Sequence, residues 1–169
     1  MIDELKNIEY VLFDLDGTVS DSSEGITKSA DKALKSEGIN VPFETLTSFI
    51  GPALRVSFGR YTDDVEKRDR MLDVYRERYS EKGWCENKIY PGMAELLRDL
   101  QKSGKHVVLA SAKPEYFCRK IIKYFGVEQY FDFIGGSDME GKRDDKTVLL
   151  TYVLDNIGNP PSDKIVMIG

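Results

Sequence analysis

Residues 14–18 read Asp-Leu-Asp-Gly-Thr and follow directly on the apolar run Tyr10-Val11-Leu12-Phe13. No other stretch of the chain restricts its fold as tightly. Residues 8–13 read as a buried strand, and Gly17 releases the backbone into a sharp turn immediately after it. Because a strand alternates its side chains between faces, Asp14 and Asp16 can point to one side while Leu15 points to the other. Holding one carboxylate beside a second is costly unless a cation or a reaction requires both. Thr18 brings a hydroxyl back toward the same point. The set suits a carboxylate nucleophile, a neighbouring acid/base and a divalent metal.

The rest of the chain supplies three more apolar runs at strand length: residues 106–110, Phe131–Ile134 and Ile165–Ile168. Helical patterns separate them. One opens at Pro91-Gly92 and carries Leu96, Leu97 and Leu100. The next opens at Pro114 and carries Phe117, Ile121 and Ile122. The last covers about 145–157 with Val148, Leu149, Tyr152 and Val153, and Gly135-Gly136 follows the third strand. Strands alternating with helices predict a parallel sheet with helices on both faces. Between residues 20 and 83 the alternation stops. Ile26, Ala30, Ala33 and Leu34 repeat at helical spacing behind a Ser22 or Ser23 cap. Pro42 opens a short helix through Phe43 and Leu46, and Pro52 begins another with Leu54 and Phe58. A charged helix over 63–81 has Val65, Leu72, Tyr75 and Tyr79 as its apolar stripe. The expected class is therefore α/β: a Rossmann-like parallel sheet core of residues 1–19 and 84–169, with an inserted α-helical domain over 20–83.

Ligands of open parallel sheets bind at the carboxyl ends of the strands. Besides residues 14–18, two segments fall there. Ser111-Ala112-Lys113-Pro114 offers a hydroxyl, backbone N–H groups and a helix start to an oxyanion. Lys142-Arg143-Asp144-Asp145-Lys146 places cations before the next helix, where a solvated loop is an equal reading. With 24 Lys and Arg against 29 Asp and Glu, the net charge of −5 excludes nucleic-acid binding by bulk electrostatics. An anionic substrate would need local positive charge. No apolar stretch is long enough to cross a bilayer, and Met1-Ile2-Asp3-Glu4-Leu5-Lys6 lacks the form of a signal peptide, which points to the cytoplasm. Cys85 and Cys118 lack metal-site spacing and read as reduced and structural. His106, the single histidine, reads as packing at a strand start and leaves no base for a serine-type triad.

Taken together, these segments resemble the phosphatase branch of the haloacid dehalogenase superfamily, over essentially the whole chain. Its members carry Asp-x-Asp-Gly-Thr after the first strand, Ser or Thr after the second and a Lys before a later helix. The insert after the first strand looks like the family's helical cap, and Gly51-Pro52-Ala53-Leu54-Arg55-Val56-Ser57-Phe58 resembles the cap segment of phosphoglycolate-phosphatase-like members. The resemblance implies a magnesium-dependent phosphatase acting on a small phosphorylated metabolite. Asp14 would be the nucleophile and Asp16 the acid/base. The Asp14 carboxylate and Asp16 carbonyl would hold Mg2+. Ser111 would hold the phosphoryl group. Lys146, ahead of Lys142 and Lys113, would neutralise charge. Thr18, Arg55, Ala112 and Lys113 are the candidate substrate contacts. Family members continue after a strand like Lys164–Ile168 with an acidic motif beginning Gly-Asp, whereas this chain stops at Gly169. The expectation is thus of a shortened form with a weakened magnesium site and an exposed last strand. Alternatives are a sugar-phosphate mutase on the same scaffold and a non-catalytic binding module.

Overall fold

The computed structural model describes residues 6–140, 142–143 and 145–169. The N-terminal reading therefore lies, but for Lys6, outside the described residues, as does Asp144. The chain divides into two compact units: one runs to Val19 and resumes at Ile89, and the other is Ser20–Lys88. Among the described residues, no helix is long and apolar enough to cross a membrane.

The first unit is built on a four-stranded sheet. Its strands are β1 (Tyr10–Phe13), β4 (His106–Pro114), β5 (Phe133–Ser137) and β6 (Ile165–Ile168), in the order β5-β4-β1-β6 and all parallel. β2 (Ser20–Asp21) and β3 (Lys88–Ile89) pair separately as two-residue strands too short for any sequence pattern to reveal. Tyr10 sits opposite both His106 and Ile165, so β1 is enclosed by neighbours, and Val11, Leu12 and Phe13 are buried. Alternation sends Leu12, Val108 and Ala110 to one face, where they pack on Leu149 and Val153 of the helix Lys146–Asn156. The strand order reverses at β1, which makes the carboxyl end of β1 the topological switch point where an open α/β sheet leaves its crevice. β6 is an edge, with Met167 and Ile168 more than 40% exposed.

Two details around β4 and β5 differ from the sequence pattern. β4 does not stop at Ala110 but continues through Pro114, with a register shift between Ser111 and Pro114. A bulge lets the chain keep pairing while it re-aims its side chains. Gly135 and Gly136 lie inside β5 rather than after it. At Gly136 a Cβ would stand 2.6 Å from the backbone of Glu115 and from the carbonyl of Lys113. Only glycine permits this approach, so the pair marks tight packing, not a turn.

The helix before β4 (Met93–Lys102) buries Leu97 and exposes Leu96, and Lys146–Asn156 exposes Val148. The helix Lys146–Asn156 is capped by Asp145, whose carboxylate accepts the N–H groups of Thr147 at 2.8 Å and Val148 at 3.1 Å.

The second unit is helical. It comprises α1 (Ser23–Ser36), a 3₁₀ segment (Phe43–Phe49), α2 (Leu54–Gly59), α3 (Val65–Arg78) and a π-helical turn (Tyr79–Gly83). In the 3₁₀ segment after Pro42 the hydroxyls of Thr45, Thr47 and Ser48 each bond the carbonyl three residues back, while Leu46 and Phe49 are buried. Neither serine caps α1 through its side chain; Asp21 accepts the Ser23 N–H instead. On α3, Met71 takes a core place and Val65 is 55% exposed, because the helix starts there and its first turn faces water.

Candidate active site

The site grows from the carboxyl end of β1. The Asp14 N–H donates to the Ile168 carbonyl at 2.9 Å, continuing the ladder one residue past the strand. The chain then turns: the N–H groups of Thr18 and Val19 both donate to the Leu15 carbonyl, and Gly17 takes φ +82°, a left-handed value that favours glycine. Leu15 is fully buried and anchors the turn from below. Asp14 and Asp16 are therefore brought together by a turn, rather than by strand alternation.

Each carboxylate has its own partners. The Asp14 Oδ1 accepts the Leu15 N–H at 2.7 Å, and the Ser111 hydroxyl donates to the same carboxylate. Ser111 is 2% exposed and sits on β4 beside β1, so this contact joins adjacent strand ends. The Asp16 Oδ2 forms an ion pair with Lys113 Nζ at 2.9 Å, whereas Asp16 Oδ1 is buried without a hydrogen-bond partner. Lys146, exposed at the start of its helix, acts on Asp14 through its charge.

Burial pushes the Asp14 carboxyl above its ordinary value. The bonds from Ser111 and Leu15 pull it back, Asp16 adds repulsion and Lys146 attraction. A carboxyl raised in the folded state contributes stability that is complete below the unfolded value of 3.8 and is lost as pH rises through the folded value. At neutral pH its ionised form therefore burdens the fold. Asp14→Asn is expected to melt above the wild type at pH 7, and the gap should close as pH falls toward 3.8. Thermal melts of the two proteins across that range would test this; a lower melting point for the variant at pH 7 would contradict the burial argument.

The other sequence candidates distribute as follows. Ala112 is half-buried between Ser111 and Lys113, and Thr18 is half-buried in the turn. Lys142 is exposed and pairs with Glu140. Arg55 belongs to the helical unit, where its guanidinium meets Asp69 at 2.6 Å and both side chains are about half exposed. His106 stacks on Tyr10 at 4.6 Å and bonds Asp132, so it packs as expected. Both cysteines are free thiols. Among the described residues, no group of three or more His, Cys, Asp or Glu is arranged to hold a metal. The residue that sequence reasoning passed over is Gly136, which backs Lys113 and Glu115. A glycine pair abutting an apolar run was its one available signal.

Comparison with known proteins follows the same lines. A family model described as haloacid dehalogenase-like hydrolase matches residues 11–169. The tyrosine-protein kinase PtkA of Mycobacterium tuberculosis is 35% identical over 162 residues, which is 95% of this chain and 55% of that protein. The chain thus spans about half the length of that relative. A 5'-nucleotidase of Pseudomonas aeruginosa is 39% identical over 150 residues, covering 88% of this chain and 68% of that one. Proteins named phosphoglycolate phosphatase match as well. The crystal structure of a predicted phosphatase from Clostridium acetobutylicum superposes with a TM-score of 0.91 at 41% identity, over 96% of this chain and 76% of that one.

Proposed function

The chain belongs to the haloacid dehalogenase-like hydrolases, and on that footing we propose that it hydrolyses a small phosphate monoester through a phosphorylated Asp14. The observation that carries the reading is the Asp14 carboxylate at the sheet's switch point, held by buried Ser111 and flanked by the Asp16–Lys113 pair. Phosphoryl transfer asks chiefly for alignment and charge neutralisation, and these groups offer both.

In the first half, an Asp14 oxygen attacks phosphorus in line with the leaving group. The P–O bond to the alcohol breaks as the bond to Asp14 forms, and Asp16 gives its proton to the departing oxygen. In the second half, Asp16 takes a proton from water as that water attacks phosphorus. The acyl phosphate bond breaks, inorganic phosphate leaves and the Asp14 carboxylate is restored. Two steps replace one difficult one. The Ser111 hydroxyl, already a donor to Asp14, is in place to donate to a phosphoryl oxygen, and Lys146 offsets the charge of the loaded site.

Magnesium fits the donor set. The acceptors that the turn from Asp14 to Asp16 supplies are hard oxygens, the donor type magnesium prefers. Magnesium is commonly held by one or two carboxylates with several waters. The Asp14 carboxylate and the Asp16 carbonyl would hold it, and it would supply the positive charge that lets a carboxylate approach a phosphate dianion. The leaving group is a small metabolite. The relatives named 5'-nucleotidase and phosphoglycolate phosphatase make nucleoside 5'-monophosphates and phosphoglycolate the first substrates to test.

Phosphate release from such monoesters should require Mg2+, and chelation should lower it at least about 100-fold, the rate equivalent of a few kcal/mol. Conversion of a sugar phosphate to its isomer without free phosphate would move the reading to a mutase. Absence of release at any magnesium concentration would leave a binding module.

A further inference from the structure

Lys113 makes an ion pair that the proposed hydrolysis does not by itself explain. Its ammonium lies 2.9 Å from Asp16 Oδ2, and the two side chains are only 6% and 10% exposed. A lysine reserved for binding an incoming phosphate would not be expected to sit closed onto a carboxylate. Long, flexible lysine side chains also lose much rotamer freedom when fixed in one place. The main chain around it is fixed to match. The bulge in β4 re-aims the segment between Ser111 and Pro114. The Lys113 N–H donates to the Ser111 hydroxyl at 3.3 Å, and the Lys113 carbonyl accepts the Cys118 thiol at 3.4 Å. Behind that carbonyl stands Gly136, with no room for a side chain.

The consequence falls on Asp16. Lys113 pins one carboxyl oxygen, Oδ2. The other, Oδ1, is the buried atom without a partner. A carboxyl held by one oxygen cannot rotate freely, and its remaining oxygen keeps one direction. Building on the phosphatase reading above, we propose that Lys113 is the positioning residue for Asp16. It holds the carboxyl so that Oδ1 is the atom exchanging a proton with the leaving oxygen in the first half and with water in the second. No bond to Lys113 is made or broken: the proton passes between Asp16 Oδ1 and the substrate or water oxygen, and Lys113 stays as it is. This places Lys113 behind the acid/base rather than among the substrate contacts.

The test exploits the fact that proton transfer matters only for leaving groups that need it. With Lys113→Met, kcat/KM for an alkyl phosphate should fall about 100-fold, the low end of what general acid–base catalysis contributes. For an aryl phosphate whose phenolate departs without a proton, kcat/KM should change no more than about threefold, while kcat falls for both esters because the second half still draws on Asp16. Asp16→Asn should show the same selectivity, and adding Lys113→Met to it should cost nothing further on the alkyl ester. A second measurement needs neither turnover nor a folded lysine variant. In the wild type, the buried Lys113 ammonium should give a slowly exchanging 15N resonance that is lost in Asp16→Asn. Equal losses of kcat/KM on both esters would make Lys113 a phosphate contact and overturn the inference, as would additive losses in the double variant. A resonance indifferent to Asp16→Asn would overturn it too. Failure of the wild type to cleave either ester would instead sink the phosphatase reading, and the 15N resonance would still decide whether Lys113 holds Asp16.

Discussion

Asp14→Asn is expected to abolish phosphate release, by a factor on the order of 10⁴ to 10⁶, the scale on which loss of a nucleophile lowers turnover. The amide is nearly isosteric with the carboxylate and can still accept the Leu15 N–H that Asp14 accepts at 2.7 Å. What it lacks is the charge and lone pair that attack phosphorus. Activity lost through unfolding is separated from activity lost through chemistry by the burial of Asp14. Since the ionised carboxylate burdens the fold at neutral pH, the inactive variant should also be the more heat-stable protein. Steady-state phosphate release and a melt on the same preparations measure both. The assignment of Asp14 fails if the variant turns over at the wild-type rate.

The second large effect is expected at Gly136. An alanine there would put its Cβ 2.6 Å from Glu115 Cα, from Glu115 N and from the Lys113 carbonyl oxygen. These are backbone atoms on both sides of Pro114 and cannot swing aside as a side-chain end can. Relief requires β5 and the start of the helix Glu115–Tyr124 to move apart. Overpacking of this kind costs about 3 kcal/mol, the upper part of its usual range. For a protein of this size that lowers the melting temperature by roughly 6–12 °C. The displacement also reaches Lys113, so turnover at a temperature where the variant is folded should fall about tenfold, because sub-ångström misplacement of catalytic groups is costly. Gly135→Ala is the internal comparison. Its Cβ would meet Val153 Cγ2 at 2.6 Å and Phe133 Cε1 at 3.0 Å, side-chain rather than backbone atoms, so the penalty should be smaller. Urea or thermal unfolding of the two variants ranks them, and equal stability of Gly136→Ala and the wild type would refute the packing argument.

Much of the architecture was legible because burial leaves a periodic mark. Val11–Phe13, Val107–Ala110 and Ile134 are apolar since helices cover the sheet, and such runs can be read one residue at a time. The helix at 146–156 was legible through Leu149 and Val153, while Val148 just before them faces water, because a helix buries only a stripe. Segments wound as 3₁₀ or π read in the sequence as ordinary helix. The 3₁₀ segment after Pro42 buries Leu46 and Phe49, and three of its hydroxyls turn back on their own chain. The π-helical turn at Tyr79–Gly83 lies where Gly25 and Gly83 meet so closely that a Cβ on Gly25 would overlap the Gly83 carbonyl. No local pattern carries that contact between residues 58 positions apart.

For the site, the order of residues along the chain was enough to nominate Asp14, Asp16 and Ser111. A strand end, a glycine turn and a hydroxyl at the next strand's end are local facts, and a parallel sheet gathers its carboxyl ends on one edge whatever the details. Which lysine stands against which carboxylate was not a local fact. Lys113 and Lys146 are equivalent as letters, each at or just before a helix start. The bulge in β4 and the missing side chain at Gly136 turn Lys113 inward onto Asp16, while Lys146 remains in solvent. Pairings across the sheet depend on backbone path and packing depth, and only the folded chain contains those.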